Sequence, residues 1–321
     1  MPRPRKVSRL PAKRASRPVF QKRTAAASSS IGVQINASPL AGTSPPAVTE
    51  VPLADWLTCG AAVTGLAHWR KGLPCQDAVA WRQSPRPILA LSDGAGSAAV
   101  SERGATALVA GMCRFLESLD DAVALWLDQP TPVAPDQASQ WSARLLRHAQ
   151  GLLGDLAAAE RRSVRDLRAT LLLVVIGKAR SFWWQVGDGS IAVRGVDGLR
   201  ALGDTAKSKG EFANQTCFVD TAVIADVQSG LLPSAEISGL ALMSDGGAER
   251  LVATDGSRIA PRIGEWLESA AAAALSPDKL AVAFHEPAMW ERTSLDDRSI
   301  VLAARTGSIT TLRGNTVAPA F

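Results

Sequence analysis

From Leu53 to Arg305 short apolar runs alternate with polar, Gly- and Pro-bearing breaks, and the period of each run tells which element it builds. Residues 59–65 (CGAAVTG), 78–81 (AVAW) and 87–92 (PILALS) read as three strands bounded by turn residues. The period then becomes helical. Across 101–118, Ala105, Leu108, Val109, Met112 and Leu116 share one face, with Ser101 and Glu102 suited to the first turn. A second amphipathic helix is expected over 139–160, and the prolines of the intervening LDQPTPVAPDQ mark a connection. A meander follows: strands at 168–177 and 181–186, a Gly187-Asp188-Gly189 turn, and a strand at 190–196. The hairpin alone accounts for Asp188 as a turn residue. Polar residues 203–217 predict a loop or flap, 239–245 a strand running into helical GGAERLV, with further helices to about Glu291 and a last strand at 298–305. Hairpin-linked strands with two long helices inserted after the third predict an α+β fold with antiparallel sheets.

Charge redraws the boundaries. The chain of 321 residues carries a net +5, yet residues 1–23 hold nine Lys or Arg and no acid, leaving 26 basic against 30 acidic residues in the remainder. Residues 1–50, basic and then Ala/Ser/Pro-rich, read as a disordered tail, 51–308 as the folded domain and 309–321 as a C-terminal tail. The arm reads either as a polyanion contact or as a solvated tail, and nucleic acid is not an expected partner. No apolar run nears the roughly 18 residues of a membrane span. Cys59, Cys75, Cys113 and Cys217 form no Cys-x-x-Cys pair, which suits a reducing, cytoplasmic location.

Candidate chemistry lies at the strand ends. Asp93 follows ILALS, Asp245 follows LALMS, Asp77 precedes AVAW and Asp297 precedes RSIVLAA. In antiparallel sheets the exit of one strand and the entry of its neighbour share an edge, so the four carboxylates can converge. Such a set repels itself unless a cation joins it, and hard oxygens suit Mg²⁺ or Mn²⁺. The bland alternative makes each Asp a turn residue beside Gly, but Ser-Asp-Gly closes two separate strands. Gly94, Ala95, Gly96, Ser97 and Ala98 leave room for an ion and a ligand, and no Gly-Lys-Ser/Thr makes this a nucleotide loop.

The ordered motifs GLPCQDA (72–78), LSDGAGS (91–97), TLLLVVI with WQVGDGSIAV (170–193), LMSDGGAERL (242–251) and DDRSIVLAA (296–304) resemble the metal-dependent type 2C protein phosphatases, above all their compact bacterial branch, over about Trp56 to Arg305. The resemblance implies a four-layer αββα sandwich, two central antiparallel sheets flanked by helix pairs, with two Mn²⁺ or Mg²⁺ ions at one end. It further implies that Asp93 bridges the ions, Gly94 offers its carbonyl, Asp245 and Asp297 hold one ion, and Asp77 serves the other directly or through water. The implied activity is protein serine/threonine phosphatase, in which a metal-bridging water attacks the phosphorus without a covalent enzyme intermediate.

Gln76 stands where many relatives carry Glu, and Ala95 where eukaryotic members often carry His. These departures keep a second reading open, a catalytically weak member that binds phosphoproteins or a kinase. His68 is a candidate general acid or phosphate contact, or a structural histidine. Arg70 and Lys71 are candidates for gripping the substrate phosphate, or solvated turn residues. His148 and His285 fall in helical segments and read as structural. Expected partners are a phosphoprotein substrate and, by the resemblance, a Ser/Thr kinase, with the protein itself a monomer.

Overall fold

The structure, a computed structural model, describes residues 49–132, 134, 136–203 and 216–307. The expected N-terminal tail apart from residues 49 and 50, the whole expected C-terminal tail, and residues 204–215 of the 203–217 loop lie outside the described residues. Strand β1 spans Trp56–Val63, helix α1 Leu66–Lys71, β2 Asp77–Arg82 and β3 Ile88–Asp93. Three helices follow: α2 Ser101–Ser118, α3 Asp120–Leu127 and α4 Gln137–Glu160. Strands β4 Leu171–Ile176, β5 Arg180–Val186, β6 Ser190–Gly195, β7 Gly198–Leu202, β8 Gln228–Pro233 and β9 Ile237–Met243 come next. Helices α5 Asp245–Ala248, α6 Pro261–Ala271, α7 Pro277–His285 and α8 Pro287–Trp290 then lead to β10 Arg298–Arg305.

Two five-stranded antiparallel sheets result, ordered β1-β10-β9-β6-β7 and β2-β3-β4-β5-β8. Their strand residues alternate between two apolar layers. In β4, Leu172, Val174 and Ile176 face the opposite sheet while Leu171, Leu173 and Val175 face helices α2 to α4. In β10, Val301 and Ala303 enter the layer between the sheets, and Ile300, Leu302 and Ala304 pack under α6 and α7. Burial on both faces explains why these strands read as continuous apolar runs rather than alternating ones. Each fully buried Leu or Ile contributes roughly 1.5–3 kcal/mol. The αββα sandwich is the arrangement expected from the sequence.

Helix α2 and strand β10 coincide with their expected bounds, whereas β1 starts three residues before the expected strand because Trp56, fully buried, already pairs with Arg305. Helix α3 lies just upstream of the prolines, tied to the start of β3 by buried Arg86, whose Nε lies 2.5 Å from Asp120 Oδ1 and whose Nη1 lies 2.9 Å from Asp128 Oδ1. Arg70 and Lys71, weighed above as turn residues, form the last turn of α1. None of the described helices is long and apolar enough to cross a membrane.

Candidate metal and phosphoester site

The antiparallel register collects the carboxylates at one end of the sandwich. Asp77 opens β2 directly opposite Asp93, which closes β3. In the other sheet, Met243 of β9 pairs with Ile300 of β10, so Asp245 just after β9 and Asp296-Asp297 just before β10 emerge side by side. Met243 also pairs with Ser190, which draws the Gly187–Gly189 turn alongside Asp245. Asp188 therefore does more than close a hairpin, since its charge bears on Asp245 while its Oδ2 accepts a 2.6 Å hydrogen bond from the Thr216 hydroxyl.

Backbone crowding fixes this junction. A Cβ on Gly65 would lie 2.3 Å from the Asp296 carbonyl carbon, and one on Gly246 only 2.2 Å from the Asp297 carbonyl oxygen. Only glycine lets α1 and α5 approach the Asp296-Asp297 bend from both sides. Gly94 is equally confined, its N–H donating to the Gln76 carbonyl at 3.1 Å and its absent Cβ leaving room for Ser101.

Asp77 is buried, and neither of its oxygens makes a well-formed hydrogen bond. Burial pushes its carboxyl up to about 7; the nearby Ser244 and Ser299 hydroxyls offset part of this, and the charges of Asp297 and Asp245 add to it. Asp93 is held well above the usual carboxylate range by burial, then by the charges of Asp77 and Asp245. Asp245 is raised by partial desolvation and by Asp188, but it is the most solvent-open of these three, so water screens part of the effect. A buried carboxylate lacking donors, with other carboxylates crowded against it, is what a divalent cation would relieve, and the donor set fits one. The Gln76 Oε1, also buried and without a partner, adds a neutral oxygen facing the Gly96 backbone.

Asp297, expected as a ligand, has both oxygens engaged: Oδ1 accepts from the Gly65 N–H at 2.6 Å, Oδ2 from the Gln76 N–H at 2.5 Å, and the His68 Nδ1 lies 2.9 Å from Oδ2. It ties α1, the approach to β2 and the start of β10 together. Its neighbour Asp296 is exposed, and its charge bears on both Asp93 and Asp245. Both neighbours thus bear on the cluster, Asp297 on Asp77 and Asp296 on Asp93 and Asp245. His68, Asp296 and Asp297 also offer three ligand atoms within 4.8 Å of one another. Arg70 and Lys71 are exposed and lie within ion-pair distance of no carboxylate among the described residues. His148 stacks on Phe115 at 3.8 Å between ring centres and His285 on Trp290 at 6.5 Å.

A cleft of about 400 Å³ opens onto Asp188 and Asp245, with Glu249 and Arg292 on its walls. The family model described as Protein phosphatase 2C matches residues 64–284. The chain belongs to the protein phosphatase 2C family. The phosphatase 2C span contains Asp77, Asp93, Asp188 and Asp245 and ends short of Asp296. Serine/threonine-protein phosphatase 3 of Escherichia coli K12 is 27% identical over 262 residues, covering 78% of this chain and 98% of the relative. The catalytic domain of the phosphatase PstP, solved with two manganese ions, superposes with a TM-score of 0.51 at 17% identity, covering 78% of this chain and 98% of that one. Stp1 of Staphylococcus aureus superposes with a TM-score of 0.50 at 14% identity, covering 78% and 95%. These two likenesses establish the shared phosphatase 2C fold.

Proposed function

We propose that this chain is a metal-dependent protein serine/threonine phosphatase that releases phosphate from phosphoserine and phosphothreonine. The observation that carries this reading is Asp77, a buried carboxylate without donors directly opposite Asp93, with Asp245, which bears on both, on the wall of a cleft. Asp93, Asp77, Asp245 and Asp296 would hold two Mn²⁺ or Mg²⁺ ions, with Gln76 Oε1 and the Gly94 carbonyl as neutral donors and Asp188 beside Asp245. When bound, the ions supply Lewis acidity, lowering the pKa of water and neutralising charge on the phosphoryl oxygens.

The protein's own groups do the rest. His68, whose Nδ1 lies 2.9 Å from Asp297 Oδ2 without a hydrogen bond, would carry the proton that the departing serine or threonine oxygen needs. Asp297 is itself fixed by two backbone N–H groups, which sets the carboxylate against which the imidazole rests. Arg70 and Lys71 would meet the substrate at the rim, with phosphoproteins as substrates, a Ser/Thr kinase as the opposing enzyme, the cytoplasm as the compartment and a monomer as the working form. A neutral Gln76 in the donor set favours weaker ion binding, the feature on which a phosphoprotein-binding role without turnover would rest. The test is phosphate release from a phosphothreonine peptide in EDTA, Mg²⁺ and Mn²⁺. Release that needs the ion supports the phosphatase, and none from folded protein moves the reading to the binding role.

A further inference from the structure

Helix α1 has two faces. His68 turns inward to Asp297, while Trp69 is 71% and the following Leu73 44% exposed. Exposed apolar side chains mark a contact surface where they join a contiguous apolar patch. Beside Trp69 lies an open groove of about 510 Å³ lined by Ala62, Val63, Leu66 and His285. The groove's lining neighbours the Asp297 end: Val63 pairs with Arg298, the residue after Asp297, and Gly65, next to Leu66, donates to Asp297.

We propose that this groove docks the phosphoprotein substrate, taking an apolar side chain that flanks the phosphorylated residue while Arg70 and Lys71 meet acidic residues beside it. Charge selects the occupant. The two cations have no carboxylate partner among the described residues, and the chain's own arm, with nine Lys or Arg and no acid in residues 1–23, would be repelled by them. The phosphoprotein brings both negative charge and proximity, because the residue that docks is tethered to the one that reacts. This inference rests on the phosphatase reading.

The test compares two phosphothreonine peptides, one with Leu and Glu within four residues of the phosphothreonine and one with Ser and Gln there, alongside p-nitrophenyl phosphate, which has no flank. Wild-type protein with Mn²⁺ should prefer the Leu/Glu peptide by about tenfold in kcat/KM, through KM, a size ordinary for one aromatic anchor. Trp69→Ala and Leu73→Ser, both at exposed positions, should bring the ratio towards one while p-nitrophenyl phosphate turnover holds. A ratio near one in wild type, or one that survives Trp69→Ala, overturns the docking and leaves the phosphatase standing. Silence of folded wild type on all three substrates overturns both.

Discussion

One hairpin carries two kinds of cross-strand pair. In the middle of β2 and β3, Val79 faces Leu91 and Ala80 faces Ala90; at its end, Asp77 faces Asp93. The apolar pairs gain from leaving water, whereas the acidic pair loses by the same move, so the sandwich buries a repulsive end on a stable middle. An end kept for binding and not for stability would look like this, and substitutions on either side should separate the two.

The sharpest break is Asp93→Asn. It should lower Mn²⁺-dependent phosphate release by well over 100-fold, beyond the ~10–100-fold typical of groups outside the ligand set, while leaving metal-free unfolding as resistant as wild type or more so. Leu172→Ala, between the sheets, should do the reverse, lowering stability in urea by roughly 2–5 kcal/mol with activity per folded molecule kept. The neighbours Asp296 and Asp297 sharpen the contrast. Asp296→Asn should weaken Mn²⁺ binding in calorimetry with little change in metal-free stability, whereas Asp297→Ala should cost about 1–3 kcal/mol in unfolding, because the Gly65 and Gln76 N–H groups lose their acceptor.

The smallest effect is on pH. Asp77 has a folded pKa of about 7, above the roughly 3.9 of an unfolded aspartate, so folding favours its protonated form. Its contribution is fully present below the unfolded value and is lost as pH rises through the folded one; Asp93 and Asp245, also raised, act with the same sign. The Tm of EDTA-treated protein should therefore fall between about pH 4 and 7, and Asp77→Asn should flatten part of that slope.

Sequence patterns made the buried strands and α2 legible because their side chains must satisfy packing on fixed periods. Edge strands β7 and β8, absent from the expected elements, face mixed surroundings, and β7 alternates exposed and half-buried residues up to Leu202. Short α1 presents no second turn for a helical period to show. In the site, convergence followed from strand ends, but that the Gly65 and Gln76 amides tie up Asp297 rather than Asp296 is a contact between segments more than 200 residues apart. Asp188 was hidden for a related reason: a Gly-Asp-Gly turn has the same local chemistry whether or not another carboxylate lies across from it.

The central claim is that the facing carboxylates are held together for divalent ions. Calorimetric titration of Mn²⁺ into EDTA-stripped wild type and Asp93→Asn tests it most directly. The account predicts two bound ions in wild type and loss of at least one in the variant; two ions bound equally well by both proteins, or none by folded wild type, would contradict it.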